Sequence, residues 1–120
     1  MAFHGILAQL LSSIPGSIAA IFVDWDGETV ALITAHDLEQ DELKALSAYQ
    51  VIFLSQLRGL CRDLDVGTPM RFKVDFERRK VLTCDVHDGY FLVMLADSDA
   101  NEGRAWHHLE RCRLDLLEEM

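Results

Sequence analysis

Residues 88–96 read DGYFLVMLA, and this stretch decides the fold. The Asp88-Gly89 pair predicts a tight turn, because a type I′ turn between two strands needs positive φ at both central positions. Residues 90–96 are apolar at odd and even positions alike. A strand with two apolar faces fits the centre of a sheet that helices cover on both sides. We therefore predict a layered α/β domain, α+β by its order of elements.

A second stretch of this kind lies near the N-terminus. Residues 17–24 are apolar on both faces, and residues 28–35 form a further β-like run. The Asp26-Gly27 pair stands between them and predicts a hairpin with a type I′ turn. Residues 17–24 are thus predicted to be another central strand.

The third β region has a different pattern. Within residues 70–76, apolar and charged side chains alternate strictly; the apolar ones are Met70, Phe72, Val74 and Phe76. Strict alternation predicts a strand with one buried face and one wet face. Charged residues 77–80 turn the chain into a strand over residues 81–86.

Three segments have helical periodicity: residues 3–14, residues 42–64, and a final helix that opens at a capping box, Asp99-x-x-Glu102. The final helix is predicted to bury Ala105, Leu109, Cys112 and Leu116. Together with the strands, the helices predict the order αββαβββα in a single domain spanning residues 1–120.

The long helix carries two apolar stripes. One has heptad-like spacing and contains Leu43, Leu46, Phe53, Leu57, Leu60 and Leu64. The other contains Val51, Leu54 and Cys61, and Tyr49 and Ile52 widen the band. A helix that lies on a sheet needs only one apolar stripe. The surplus predicts a second protein surface, and hence a dimer.

Composition narrows the class of partner. The net charge of −9 argues against nucleic acid, whose binding depends on a basic face. Residues 71–80 are a local exception, with five basic residues against two acidic ones. They could meet an acidic partner, although a solvated hairpin is the commoner explanation of such charges. No apolar run approaches the roughly 20 residues of a membrane-spanning helix, so no membrane insertion is expected. The cysteines Cys61, Cys84 and Cys112 are interpreted as buried thiols, which favours the cytoplasm.

Possible catalytic and metal sites have simpler explanations. The carboxylates of Asp24, Asp26 and Glu28 suggest a metal loop, but a tight turn explains them. An EF-hand beginning at Asp97 lacks its glycine and its final glutamate. His108 and Cys112 share a helix face without companion ligands, and Cys84 near His87 lies in an apolar strand. We predict no catalytic residue, no metal and no cofactor, and hence no enzyme.

Several of these features together resemble the Roadblock family of dynein light-chain-related proteins, in its bacterial MglB-like branch. They are the αββαβββα order, the helix stop at Pro15-Gly16, the two Asp-Gly turns and Asn101-x-Gly103 at the start of the last helix. The resemblance covers nearly the whole chain. It implies a five-stranded antiparallel sheet in the order 2-1-5-4-3, with the long helix on one face and the terminal helices on the other.

The resemblance also implies a homodimer, in which the third strands pair across a two-fold and the long helices pack together. The predicted interface residues are Val51, Leu54 and Arg58 on the helix and Met70, Phe72 and Val74 on the strand. The implied partner is a small Ras-like GTPase, bound through the middle of the long helix at Ser47, Ser55 and Gly59. Residues 51–54, VIFL, are bulkier than is usual there, which is expected to block a close helix approach or to demand a different partner.

The predicted function is therefore a non-catalytic homodimeric regulator or scaffold for a Ras-like GTPase. Two alternatives remain open. One is a structural adaptor dimer that links larger assemblies without contacting a GTPase. The other is a small-ligand sensor, because sheets with flanking helices can enclose pockets.

Overall fold

A computed structural model describes residues 2–35 and 37–120 of the chain, and the order αββαβββα is confirmed within them. The elements are α1 (Ala2–Ser13), β1 (Ser17–Val23), β2 (Thr29–Thr34), α2 (Gln40–Leu60), β3 (Arg71–Asp75), β4 (Arg79–His87), β5 (Tyr90–Asp97) and α3 (Glu102–Glu119). The long helix ends earlier than predicted, because Arg62–Leu64 forms a separate 3₁₀ turn. In the described ranges, no helix is long and apolar enough to cross a bilayer.

The five strands form one antiparallel sheet in the order β2-β1-β5-β4-β3, as expected. All seven residues of β1 are buried. β5 lies beside it with Val23 opposite Phe91, and most of its side chains are buried as well. The two doubly apolar strands are therefore central, while β3 lies at one edge with alternating half-buried and exposed residues.

Two hydrophobic layers enclose the sheet. On one face, α1 and α3 pack on each other and on the strands, with Leu7, Phe22 and Leu109 among the buried side chains. The predicted core residues of α3 are all buried: Ala105, Leu109, Cys112 and Leu116. On the other face, α2 covers Ile21 and Val93. The sheet thus has helices on both faces, as its central strands require.

The two Asp-Gly turns differ. Asp88 and Gly89 have φ of 51° and 84°, as the predicted type I′ turn requires. At the first hairpin only Gly27 has positive φ, and Asp24 N donates to Glu28 O at 3.0 Å. The loop is therefore longer than two residues, and the predicted type I′ turn at Asp26-Gly27 is wrong.

The α3 start also differs from the predicted capping box. Asn101 is the N-cap, and its side-chain oxygen accepts a hydrogen bond from Arg104 N at 2.8 Å. Asp99 was predicted to be the cap, but it lies two residues before this position. Asparagine and aspartate are both good N-caps, so their relative position decides which one is used.

The sheet-facing side of α2 is not the heptad-like stripe. Its buried residues are Leu43, Ser47, Gln50, Val51 and Leu54. Ser47 is compatible with the core because its hydroxyl donates to Leu43 O, one turn earlier, at 3.0 Å. The buried face of α2 thus includes the polar residues Ser47 and Gln50, while the bulkier Tyr49 and Ile52 lie on the exposed face.

Candidate protein-binding surface

The outward side of α2 is an exposed apolar stripe formed by Tyr49, Ile52 and Leu60. Their exposed fractions are 69%, 51% and 76%. Beside them Phe53 is 47% exposed, and its ring lies 5.1 Å from the ring of Phe72 in β3. The surplus apolar surface expected from the sequence therefore exists. It combines Phe53 and Leu60 of the heptad-like stripe with Tyr49 and Ile52, and it excludes Val51 and Leu54. We call Tyr49, Ile52, Phe53 and Leu60 the outer stripe.

Two of the predicted dimer residues belong to the core of the single chain. Val51 is 5% exposed and Leu54 is 1% exposed, and both pack in the cluster between α2 and the sheet. Their side chains are already buried within the single chain and cannot contact a second copy, so their assignment to an interface is wrong. Arg58 is exposed. Burial raises the pKa of nearby Asp85, although the Arg58 guanidinium acts in the opposite direction.

The predicted partner residues divide in the same way. Ser47 is fully buried, so its assignment to partner contact is also wrong. Ser55 and Gly59 are exposed and lie one turn apart. A Cβ atom added at Gly59 would meet nothing within 4 Å. Ile52 lies one turn before Ser55. Ile52, Ser55 and Gly59 together form an open strip beside the outer stripe, with Ile52 common to both.

The apolar side of β3 continues this surface. Phe72 and Val74 are half-buried on the α2 side of the sheet, while Met70 and Phe76 next to the strand are 58% and 51% exposed. Phe72 joins the two parts through its contact with Phe53. The outer stripe and the β3 side chains thus form one surface on one side of the molecule.

Among the residues that the structure describes, the backbone of β3 is paired on one side, by β4. Phe76 N donates to Arg79 O, and Asp85 N donates to Met70 O, both at 2.8 Å. The register between β3 and β4 has no bulge, so even-numbered residues of β3 exchange hydrogen bonds with β4. The N–H and C=O groups of Arg71, Lys73 and Asp75 therefore point to the open edge of the sheet.

The charged side of β3 faces α3. Lys73 Nζ contacts Glu102 at 2.8 Å and Asp75 at 3.1 Å, and these contacts raise the pKa of Lys73. The Arg71 guanidinium lies 4.7 Å from the centre of the Trp106 ring. All three charged side chains of the strand are thus held on one face, along the open edge.

Most basic residues of 71–80 have partners within the chain, which favours the hairpin explanation over contact with an acidic partner. Besides Lys73, the buried Lys80 Nζ donates to Ala100 O at 2.7 Å. Arg79 Nε lies 3.2 Å from Asp97. The acids that meet Lys73 and Arg79 come from β3, β5 and α3, so much of the positive charge of the stretch is paired.

Several proteins of known structure share the fold of this chain. A Roadblock/LC7 domain from Streptomyces avermitilis has a TM-score of 0.86 at 16% sequence identity, over 97% of this chain and 95% of that one. Gliding protein MglB from Thermus thermophilus has a TM-score of 0.85 at 18% identity, over 96% and 85%. MglB in a tetrameric arrangement has a TM-score of 0.83 at 18% identity, over 92% and 82%. The chain has the Roadblock/LC7 fold.

No family model matches the sequence, and no curated protein matches it. The likeness to the Roadblock/LC7 domains therefore lies in the fold, at low sequence identity. Their coverage of nearly the whole chain confirms the resemblance inferred from the order of elements and the turns.

In this Roadblock fold, sequence reasoning missed how α2 is rotated. The sequence predicts that Tyr49 and Ile52 only widen the apolar band of α2, whereas in the structure they form the middle of its exposed face. The signal was present in the polar pattern. Gln56 lies one turn after Ile52 and is exposed, which indicates that this side faces outward.

The acidic turn between β1 and β2 has a structural role. One oxygen of Asp24 accepts hydrogen bonds from Asp26 N at 2.9 Å and Glu28 N at 3.0 Å. Asn101, part of the EF-hand-like pattern, caps α3. Among the residues described, no three His, Cys, Asp or Glu side chains are grouped to hold a metal ion.

The three thiols are expected to differ in reactivity. Burial raises the pKa of Cys84 and of Cys112 to about 12, so both stay protonated near pH 8. Cys61 was predicted to be buried, but it is half-exposed at the end of α2. In native protein at pH 8, a chromogenic disulfide reagent should label Cys61 first and the other two only after unfolding. Rapid labelling of all three would contradict the packing of α3 on the sheet.

Proposed function

We propose that this protein is a non-catalytic homodimeric regulator or scaffold that binds a small Ras-like GTPase in the cytoplasm. The observation that supports this proposal is the position of the outer stripe directly beside an unpaired edge strand. Two copies joined there would cover both features at once. No catalytic step by this chain is invoked.

Self-association follows from the physical properties of the two features. An open strand edge with outward N–H and C=O groups readily accepts another strand. A contiguous exposed apolar patch marks a site of protein contact. The dimer interface proposed here therefore keeps Met70, Phe72, Val74 and Arg58 from the sequence prediction, and replaces Val51 and Leu54 with Ile52 and Phe53.

Binding to a GTPase is supported by the small residues of α2 and by the Roadblock resemblance. Ser55 and Gly59 leave space on the helix surface where a second protein can approach the backbone. Of the bulky residues 51–54, Val51 and Leu54 point into the core, whereas Ile52 and Phe53 stay exposed and would contact the partner beside this space. In a dimer with its helices side by side, the two strips would form a single docking platform.

The proposal is tested in two steps. Light scattering of the purified protein at several concentrations should give a mass near twice 13.6 kDa. A Ras-like GTPase from the same organism, loaded with GDP or with a non-hydrolysable GTP analogue, is then titrated against immobilised dimer. We expect one nucleotide state to bind more tightly than the other.

A matched pair of variants locates the docking site. Gly59→Arg adds a long side chain on the platform and should reduce GTPase binding at least tenfold. Gly5→Arg is the control, because Gly5 also lies in a helix with nothing within 4 Å of its Cβ position, but on α1. An equal loss of GTPase binding in both variants, or no loss in either, would contradict docking on α2. A dimer that binds no GTPase in either state would instead favour the structural adaptor.

A further inference from the structure

The charged edge strand has a sequence that is complementary to itself. Residues 71–77 read RFKVDFE. When the stretch is reversed about Val74, each basic residue meets an acidic one and each aromatic residue meets an aromatic one. Since antiparallel pairing places a strand against its own reversal, this pattern bears directly on how two copies would meet.

The backbone limits the possible registers. A two-fold axis perpendicular to the sheet keeps each side chain on its own face, so it must pass through a residue position and not between two residues. The free N–H and C=O groups belong to Arg71, Lys73 and Asp75. Odd-numbered residues of one copy therefore pair with odd-numbered residues of the other.

We propose that two copies pair through β3 in the register centred on Val74, and that the charge pattern selects an identical copy as partner. This inference rests on the self-association proposed above. Lys73 then lies opposite Asp75 of the second copy, and the two-fold repeats the pair. Arg71 lies opposite Glu77 of the second copy, which belongs to the β3–β4 turn and reaches this position through its side chain.

The apolar side of the strand agrees with the same register. Phe72 lies opposite Phe76 of the second copy, and Val74 meets its own equivalent on the axis. Aromatic pairs in directly opposed positions stabilise a sheet. Phe76 is 51% exposed in the single chain, so it has unburied area to contribute.

The neighbouring registers bring like charges together. Centring on Phe72 places Arg71 opposite Lys73. Centring on Lys73 places that lysine opposite itself, although Arg71 then meets Asp75. Centring on Asp75 places that aspartate opposite itself, although Lys73 then meets Glu77. Among these registers, only the one centred on Val74 has no pair of like charges. Like charges directly opposed in a sheet are destabilising. The backbone hydrogen bonds and the apolar surface supply affinity in any register, whereas the charges discriminate among registers and partners.

Cysteine cross-linking tests the register. In the proposed register the two copies of residue 74 form a non-hydrogen-bonded pair, with Cα atoms about 4.5 Å apart. That distance lies within the range of a disulfide. Val74→Cys in a Cys61→Ser background should therefore form a covalent dimer under mild oxidation. The control Phe72→Cys places its two thiols four residues out of register, roughly 13 Å apart, and should not cross-link.

Charge reversal tests the selection of an identical copy. Lys73→Glu places acid opposite acid twice, and Asp75→Lys places base opposite base twice. Each variant alone should dimerise about tenfold more weakly than wild type. Mixed together they should form a heterodimer of near wild-type affinity, because both opposed pairs are again of opposite sign. Native mass spectrometry distinguishes the mixed dimer when one copy is isotope-labelled.

The outcomes separate this inference from the dimer itself. If light scattering gives a dimer but Phe72→Cys cross-links in place of Val74→Cys, the register is overturned and self-association stands. If the mixed variants do not prefer each other, the charges do not select the partner. A monomer by light scattering, with no cross-link in either variant, overturns both proposals.

Discussion

Leu54→Asp is expected to unfold the protein, whereas Ile52→Asp, on the same helix, is expected to leave it folded. Leu54 is 1% exposed and packs in the layer that contains Ile21 and Val93. An aspartate there would place an unpaired carboxylate among apolar side chains and remove packing, at a loss of more than about 5 kcal/mol. This is comparable with the total stability of a domain, about 5–15 kcal/mol.

Ile52→Asp is the matched control for charge and for helix propensity. Ile52 is 51% exposed, so its replacement should change the free energy of unfolding of the single chain by less than about 1 kcal/mol. It should nevertheless abolish self-association, because it places a charge in the middle of the outer stripe. Circular dichroism in urea measures the first effect and light scattering measures the second.

The opposite result would have a clear meaning. Two residues along a helix correspond to a rotation of about 200° about its axis, so Leu54 and Ile52 point to nearly opposite sides and cannot both face the sheet. If Ile52→Asp unfolded the chain and Leu54→Asp left it folded, α2 would be rotated by about half a turn. The dimer residues first predicted from the sequence, Val51 and Leu54, would then be on the outside.

This rotation is the part of the site that the sequence did not determine. Both sides of α2 carry large apolar residues, and the buried side also contains the polar Ser47 and Gln50. A prediction based on hydrophobicity alone therefore places the wrong side of the helix against the sheet. The correct side depends on which residues fit against β1 and β5. Shape decides this, and the Ser47 hydroxyl is tolerated on the buried side because it donates within the helix to Leu43 O.

The central places of β1 and β5 could be predicted from their own residues, whereas the full order of the sheet was implied by the family resemblance. β1 and β5 are apolar on both faces, and only central positions can bury both faces of a strand. β3 alternates, which is typical of a half-covered strand. The sequence could not show that basic residues of 71–80 are paired within the chain. Glu102 and Asp97, which pair with Lys73 and Arg79, are distant in sequence and become neighbours only in the fold.

Gly89→Ala is the second substitution with a large expected effect, about 2–4 kcal/mol of lost stability. Gly89 has φ of +84°, which disfavours any residue with a Cβ atom by about 1 kcal/mol. In addition, a Cβ atom at this position would lie 2.8 Å from Trp25 Cβ. Trp25 is 57% exposed, but its Cβ atom is fixed to the backbone of the first hairpin, and its ring packs edge-on against Tyr90 with centroids 5.4 Å apart. A rotation of its side chain therefore does not relieve the contact. The two turns at this end of the sheet would have to separate.

Gly67→Ala isolates the contribution of the backbone. Gly67 has φ of +83°, almost the same as Gly89, but nothing lies within 4 Å of its Cβ position. It should therefore lose only about 1 kcal/mol, and urea unfolding of the two variants gives the steric part by difference. Equal losses in both would mean that the β1–β2 and β4–β5 turns do not touch. A larger loss for Gly89→Ala would show that Trp25 closes this end of the sheet, and that the Asp88-Gly89 turn depends on a contact with the first hairpin as well as on its own conformation.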